Sequence, residues 1–147
     1  MADKDLIISI EKSIRYISVH VRAHGREILN EYEISPPQFV ALQWVGDKEG
    51  ITIGELSNRM YLAHSTTTDI VDKLENLQLI RRYKSEKDKR LVLVEMEPKG
   101  KEIIRKVIDK RISYIRDITA HLDEEQMNML PELLESVLRE SEKLTHG

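Results

Sequence analysis

A chain of 147 residues with 40% hydrophobic, 33% charged and only 5% aromatic residues is long enough for one domain with a real core, and it favours long amphipathic helices over a β-sandwich. Its formal net charge of -3, from 23 basic and 26 acidic residues, argues against a diffuse cationic coat of the kind that binds nucleic acid unselectively. The absence of cysteine removes disulfides, thiolate metal sites, cysteine nucleophiles and thiol-based redox sensing together.

The opening MADKDLIISIEK lacks a basic region followed by an apolar run, and no stretch reaches the roughly 18 apolar residues of a membrane span. The sequence therefore reads as cytoplasmic, without a membrane partner. Ile7, Ile10, Ile14, Ile17, Val21 and Ile28 recur in three- and four-residue steps, with His24 in the missing place. That is the seam of one long helix packed along another, in the same chain or in a partner.

In SPPQFVALQWV, Ser35 can cap a helix, Pro36 is pre-set for its first position and Gln38 can reach back to the cap. GDKEG ends that helix. Thr52 with Glu55 repeats the capping pattern and opens a short helix through IGELSNRM. A further helix over His64 to Leu77 places Ile70, Val71, Leu74 and Leu77 on a core face, and Ser65, Thr66, Thr68, Asp69, Asp72 and Lys73 largely on the other. Two short helices in this arrangement read as a helix-turn-helix.

The period then changes. LIRRYK and LVLVEM have the character of two strands, and SEKDKR between them makes a hairpin with a charged tip. From Gln78 to Arg90 six cations (Arg81, Arg82, Lys84, Lys87, Lys89, Arg90) face two anions (Glu86, Asp88), against the sign of the whole chain. Glu97-Pro98 fits a strand exit into a third long helix carrying Ile104, Ile108, Ile115, Ile118 and Leu122. A last helix starts at Asp123, with Gln126 three residues on and Met127, Leu130, Leu134, Val137 and Leu144 along one seam. Pro131 within it predicts a kink. No repeat or low-complexity linker divides the chain.

Together, SPPQFVAL, TIGELSNRMYLAHSTTTDIVDKLENLQLIRR and DKRLVLVEMEPKG resemble the MarR family of winged helix-turn-helix transcription regulators, from about Ser35 to Gly100. The implied fold is mainly α: a three-helix core with a β-hairpin wing over 35–100, and long amino- and carboxy-terminal dimerisation helices over 1–34 and 101–147. The resemblance makes Ser65 to Glu75 the recognition helix in the major groove, with His64, Ser65, Thr66, Thr68 and Asp69 touching bases or phosphates. It makes Asp88-Lys89-Arg90 the wing tip, Arg90 entering the minor groove while Asp88 orients a cation. Three departures stand out: Gln78 where a glycine is usual, EPKG for the common LTxxG, and Pro131. The lack of cysteine excludes the family's peroxide-sensing branch.

These implications set the expectations. Arg81, Arg82, Lys84, Lys87, Lys89 and Arg90 are candidates for phosphate contact, and the polar face including Lys73 for the recognition surface. Ile7, Ile10, Ile14 and Ile17 with Met127, Leu130, Leu134, Val137 and Leu144 are candidates for a homodimer interface that sets the half-site spacing of a palindromic operator. The family also implies a crevice for a small-molecule effector, which Arg15, Tyr16, Arg22 and Trp44 could line.

Each motif has a plainer reading. Alone, the hairpin is a solvated charged turn, and HSTTTD a helix start rich in cap formers; the helix-turn-helix upstream and the wing downstream favour DNA contact for both. His20 and His24 share a helix face, but among His20, His24, His64, His121 and His146 no ligand cluster emerges, so no metal and no cofactor is expected. No phosphate-cradling glycine loop or nucleophile motif appears, which argues against an enzyme. The expected function is a homodimeric, effector-released repressor of double-stranded DNA; the alternative is a winged-helix module that binds protein through the same basic edge.

Overall fold

The computed structural model describes residues 3–146, with side chains through Thr145. The chain divides into two compact units, Met1–Lys110 and Arg111–Gly147. The first holds helices α1 (Lys4–Asn30), α2 (Pro36–Asp47), α3 (Ile53–Met60) and α4 (His64–Asn76), strands β1 (Ile51–Thr52), β2 (Ile80–Lys84) and β3 (Val92–Met96), and the first half of α5 (Pro98–Thr119). The second holds the remainder of α5 and α6 (Glu124–His146).

The predicted starts are built as the sequence requires. Ser35 Oγ accepts from the Gln38 amide at 3.3 Å while the Gln38 side chain accepts from the Ser35 amide at 2.9 Å, closing the capping box over Pro36. Asp123 and Gln126 do the same for α6, at 2.8 and 3.0 Å. At α3, Thr52 Oγ1 accepts from the Glu55 amide at 3.0 Å, and the Glu55 carboxylate takes the Thr52 hydroxyl and Lys48. Those donors hold the Glu55 carboxyl below its ordinary pKa, Lys48 contributing most.

Three helices stop in the same way. Behind α1, α3 and α4, the residues Glu33, Tyr61 and Gln78 adopt left-handed backbone (φ 60, 55 and 63°). The next amide bonds back five residues, from Ile34 to Leu29 O (3.2 Å), Leu62 to Ser57 O (3.1 Å) and Leu79 to Leu74 O (3.0 Å). This is the Schellman termination, whose left-handed residue is usually glycine. Gln78 thus takes the left-handed position itself, and it carries the steric cost of a Cβ there.

The core of the first unit draws Phe39, Ala41, Leu42 and Val45 from α2, Leu56 from α3, Ile70, Val71 and Leu74 from α4, and Val94 from β3. Ile28 and Leu29 of α1 and Val107 of α5 are buried in it too, so both long helices are rooted in the lobe. The sheet runs β1-β3-β2, all pairs antiparallel, with Ile51 opposite Val94 and Arg81 opposite Glu95. The two-residue β1 was not foreseen: it is too short to show an alternation, and its place comes from pairing with β3.

Gly100 explains how α5 docks. A Cβ there would run into the Leu79 carbonyl and the Met96 sulfur, and that carbonyl also accepts the Glu97 amide at 2.9 Å. Gly100→Ala is therefore expected to destabilise the lobe by about 1–3 kcal/mol, as overpacking against backbone does. Urea denaturation of both proteins measures it; an unchanged midpoint refutes the account. Pro131 lies inside α6 and does not end it.

Candidate nucleic-acid interface

Helix α4 begins without a side-chain cap. Ala63 occupies the cap position of α4, so the hydroxyls after it are not cap groups. They divide by helical position. Thr67, passed over in the sequence reading, is wholly buried and donates to Ala63 O at 3.1 Å. Thr68 is half-buried and donates to His64 O at 3.0 Å. His64, Ser65, Thr66, Asp69 and Lys73 are exposed. The hydroxyls of Ser65 and Thr66 make no hydrogen bond among the described residues, leaving them open to an external acceptor or donor.

The hairpin is tied to this helix. Arg82 of β2 donates its amide to Glu75 Oε2 at 2.9 Å and its Nε to Glu75 Oε1 at 3.2 Å, while its terminal nitrogen pairs with Asp72. With its side chain 26% exposed, Arg82 braces wing against helix rather than facing outward as expected of a phosphate contact. Arg81 is also engaged: it pairs with its cross-strand neighbour Glu95 and with Glu97 (3.3 Å), and stacks on Tyr83 at 5.0 Å. Two of the six hairpin cations are thus already balanced by carboxylates of the lobe.

The tip is shaped by its own hydrogen bonds. Ser85 N donates to Leu91 O at 3.0 Å, and Asp88 N to Ser85 Oγ at 3.2 Å. The Asp88 carboxylate accepts from the Arg90 amide (3.1 Å) and, through both oxygens, from its guanidinium (3.0 and 3.2 Å). These bonds keep the Asp88 carboxyl below its ordinary pKa. Arg90 is nevertheless 89% exposed: its direction is set while its outer edge stays open. Lys84, Lys87 and Lys89 are exposed and make no ion pair among the described residues.

Because Arg82 and Arg90 have different surroundings, their alanine variants should separate. Arg82→Ala is expected to cost about 1 kcal/mol of stability, the scale of a partly exposed pair. It should weaken DNA binding without changing the slope of affinity against salt, since no phosphate counterion is involved. Anisotropy titrations across a salt series check this; a shallower slope means that Arg82 touches phosphate.

Outside this surface, Arg15 pairs with Glu11 at 3.0 Å and lies over Tyr16 at 5.0 Å on the exposed part of α1. Trp44 is half-buried beneath Arg59, 5.0 Å from its ring, and Arg22 is exposed. Of these effector candidates, Arg15 and Tyr16 lie together, while Trp44 is paired with Arg59 instead. Among the described residues no three His, Asp or Glu side chains cluster as metal ligands; the His146 side chain lies outside the described residues. No described helix is long and apolar enough to cross a membrane. Ile7, Ile10, Ile14 and Ile17 are exposed, as are Met127, Leu134, Val137 and Leu144, with Leu130 half-buried.

The sequence reading missed Tyr61, in the link between α3 and α4. Its signal was available: a tyrosine within MYLAH, where a short turn ordinarily uses small residues.

Comparison with known proteins places this architecture. The MarR family model matches residues 34–92. The uncharacterized HTH-type transcriptional regulator YsmB of Bacillus subtilis is 42% identical over 137 residues, covering 93% of this chain and 94% of that protein. A solved MarR family protein from Bacillus stearothermophilus is 38% identical and superposes with a TM-score of 0.79, covering 96% of this chain and 99% of that one. The Staphylococcus aureus MepR-DNA complex, at 19% identity and TM-score 0.72 over 86% of this chain and 95% of that one, shares the fold.

Proposed function

The chain belongs to the MarR family of helix-turn-helix transcriptional regulators, and from that premise we propose that two copies act as a cytoplasmic repressor on one palindromic double-stranded operator. Each copy lays the amino-terminal half of α4 in the major groove, where Ser65, Thr66, Asp69 and His64 meet base edges and the Thr66 methyl can face thymine. The wing tip brings Arg90 to the adjacent minor groove, whose narrow A/T-rich form concentrates negative potential. Lys73, Lys84, Lys87 and Lys89 neutralise phosphates. The apolar faces of α1 and of α6 bury against the second copy.

The observation that carries this reading is the brace through Arg82, which joins an exposed polar helix and an exposed cationic tip into one body. Such a body meets two grooves in fixed register. A small-molecule effector releases the operator by binding more tightly to the dimer whose lobes are wrongly spaced, since only differential affinity shifts an equilibrium. Arg15, Tyr16, Arg22 and Trp44 are the candidates to contact it.

Selection of duplexes from a random library by the purified protein tests the proposal. Recovery of an inverted repeat with half-sites about one helical turn apart is the expected result. Failure to enrich any duplex would instead favour a module that binds protein.

A further inference from the structure

Tyr61 is the least economical residue in the lobe. It ends α3 in left-handed backbone (φ 55°), a conformation that glycine adopts freely and a Cβ opposes. Strain of this kind is often repaid by burial, yet Tyr61 is 95% exposed. Its amide donates to Asn58 O at 3.3 Å, but neither its ring nor its hydroxyl has a partner among the described residues. The other two left-handed ends, Glu33 and Gln78, carry flexible polar chains that water solvates well. A phenol ring held out in water, by contrast, adds apolar surface and stabilises nothing within the fold.

Its place in the fold suggests what the ring meets. Tyr61 sits at the carboxy-terminal end of the first helix of the helix-turn-helix, three residues before His64 begins the reading helix. In that motif the first helix crosses the sugar-phosphate backbone beside the groove that the second helix enters. Tyrosine hydroxyls are among the groups that donate to phosphate oxygens, and the flat ring can cover a deoxyribose.

We propose that Tyr61 is a DNA-backbone contact: its hydroxyl donates to a phosphate flanking the half-site while its ring lies on the adjoining sugar. This rests on the DNA-binding reading above. It adds a neutral positioning contact, which explains how an acidic chain whose hairpin arginines are partly balanced can hold its register.

The test compares Tyr61→Phe and Tyr61→Gly with the wild type on a duplex that the wild type itself selects from a random library. Tyr61→Phe removes only the hydroxyl. It should leave the melting temperature unchanged and weaken binding about fivefold per copy, about 25-fold for the dimer, the scale of one hydrogen bond. Tyr61→Gly relieves the backbone and should raise the melting temperature by about 3 °C while weakening binding at least as much. A variant that is better folded yet binds less well cannot owe its defect to misfolding. If the wild type binds its duplex and Tyr61→Phe binds it equally well, the phosphate contact is overturned; if the wild type selects no duplex, the DNA reading itself fails.

Discussion

Arg90→Ala is expected to lower operator affinity about tenfold or more at moderate salt and to reduce the slope of log affinity against log salt by about two, one counterion-releasing contact from each copy. The reason lies at the wing tip. Arg90 presents an exposed guanidinium whose direction is fixed by both oxygens of Asp88, so a groove meets a cation that is already aimed. Arg82 has the same charge and lies in the same hairpin, but its nitrogens are spent on Asp72 and Glu75. The two substitutions therefore form an internal control. A salt slope lowered equally by both, or by neither, would refute the assignment of roles. Competition by random duplex would show whether the Arg90 loss falls on specific or general binding.

Ile14→Glu is expected to abolish the dimer. Ile7, Ile10, Ile14 and Ile17 are each between 51% and 55% exposed, and the residues of α1 buried in the lobe are only Ile28 and Leu29 near its end. Isolated helical turns are marginal in water, so a regular row of isoleucines along such a helix calls for a covering surface. A second copy supplies one, and a glutamate in that seam would face its symmetry mate or an apolar wall, leaving a charge desolvated without a partner. Sedimentation at micromolar concentration should then give the 17.2 kDa of one chain. Operator affinity should fall by about a hundredfold or more, the loss expected when two linked half-sites become one. A variant that remains dimeric places the interface elsewhere.

Much of the fold was legible because its signals are local. Ser35-Pro36-Gln38 and Asp123-Gln126 are cap chemistry, and the apolar step through Ile70, Val71 and Leu74 fixes a face; each needs only neighbours within one or two turns. What escaped depends on distant groups. β1 exists through β3, forty residues on. Thr67 looks like its neighbours in STTTD but falls on the inward side. Arg81 and Arg82 read as free cations until Glu95, Glu97, Asp72 and Glu75 are brought beside them. The left-handed state of Tyr61 is local by contrast: it belongs to the turn that Leu62 closes on Ser57 O, and in the sequence it shows only as a tyrosine where a small residue is usual.

β3 is hydrogen-bonded along both edges, to β1 and to β2. A deletion of one residue within it would turn Val94 outward and put two ladders out of register at once, because side chains alternate with a period of two. Length changes past the ladders, among residues 86–90, are expected to leave both registers intact. Relatives that differ in how deeply they probe the minor groove should therefore vary in the number of residues at that tip, with the stem beneath it unchanged in length.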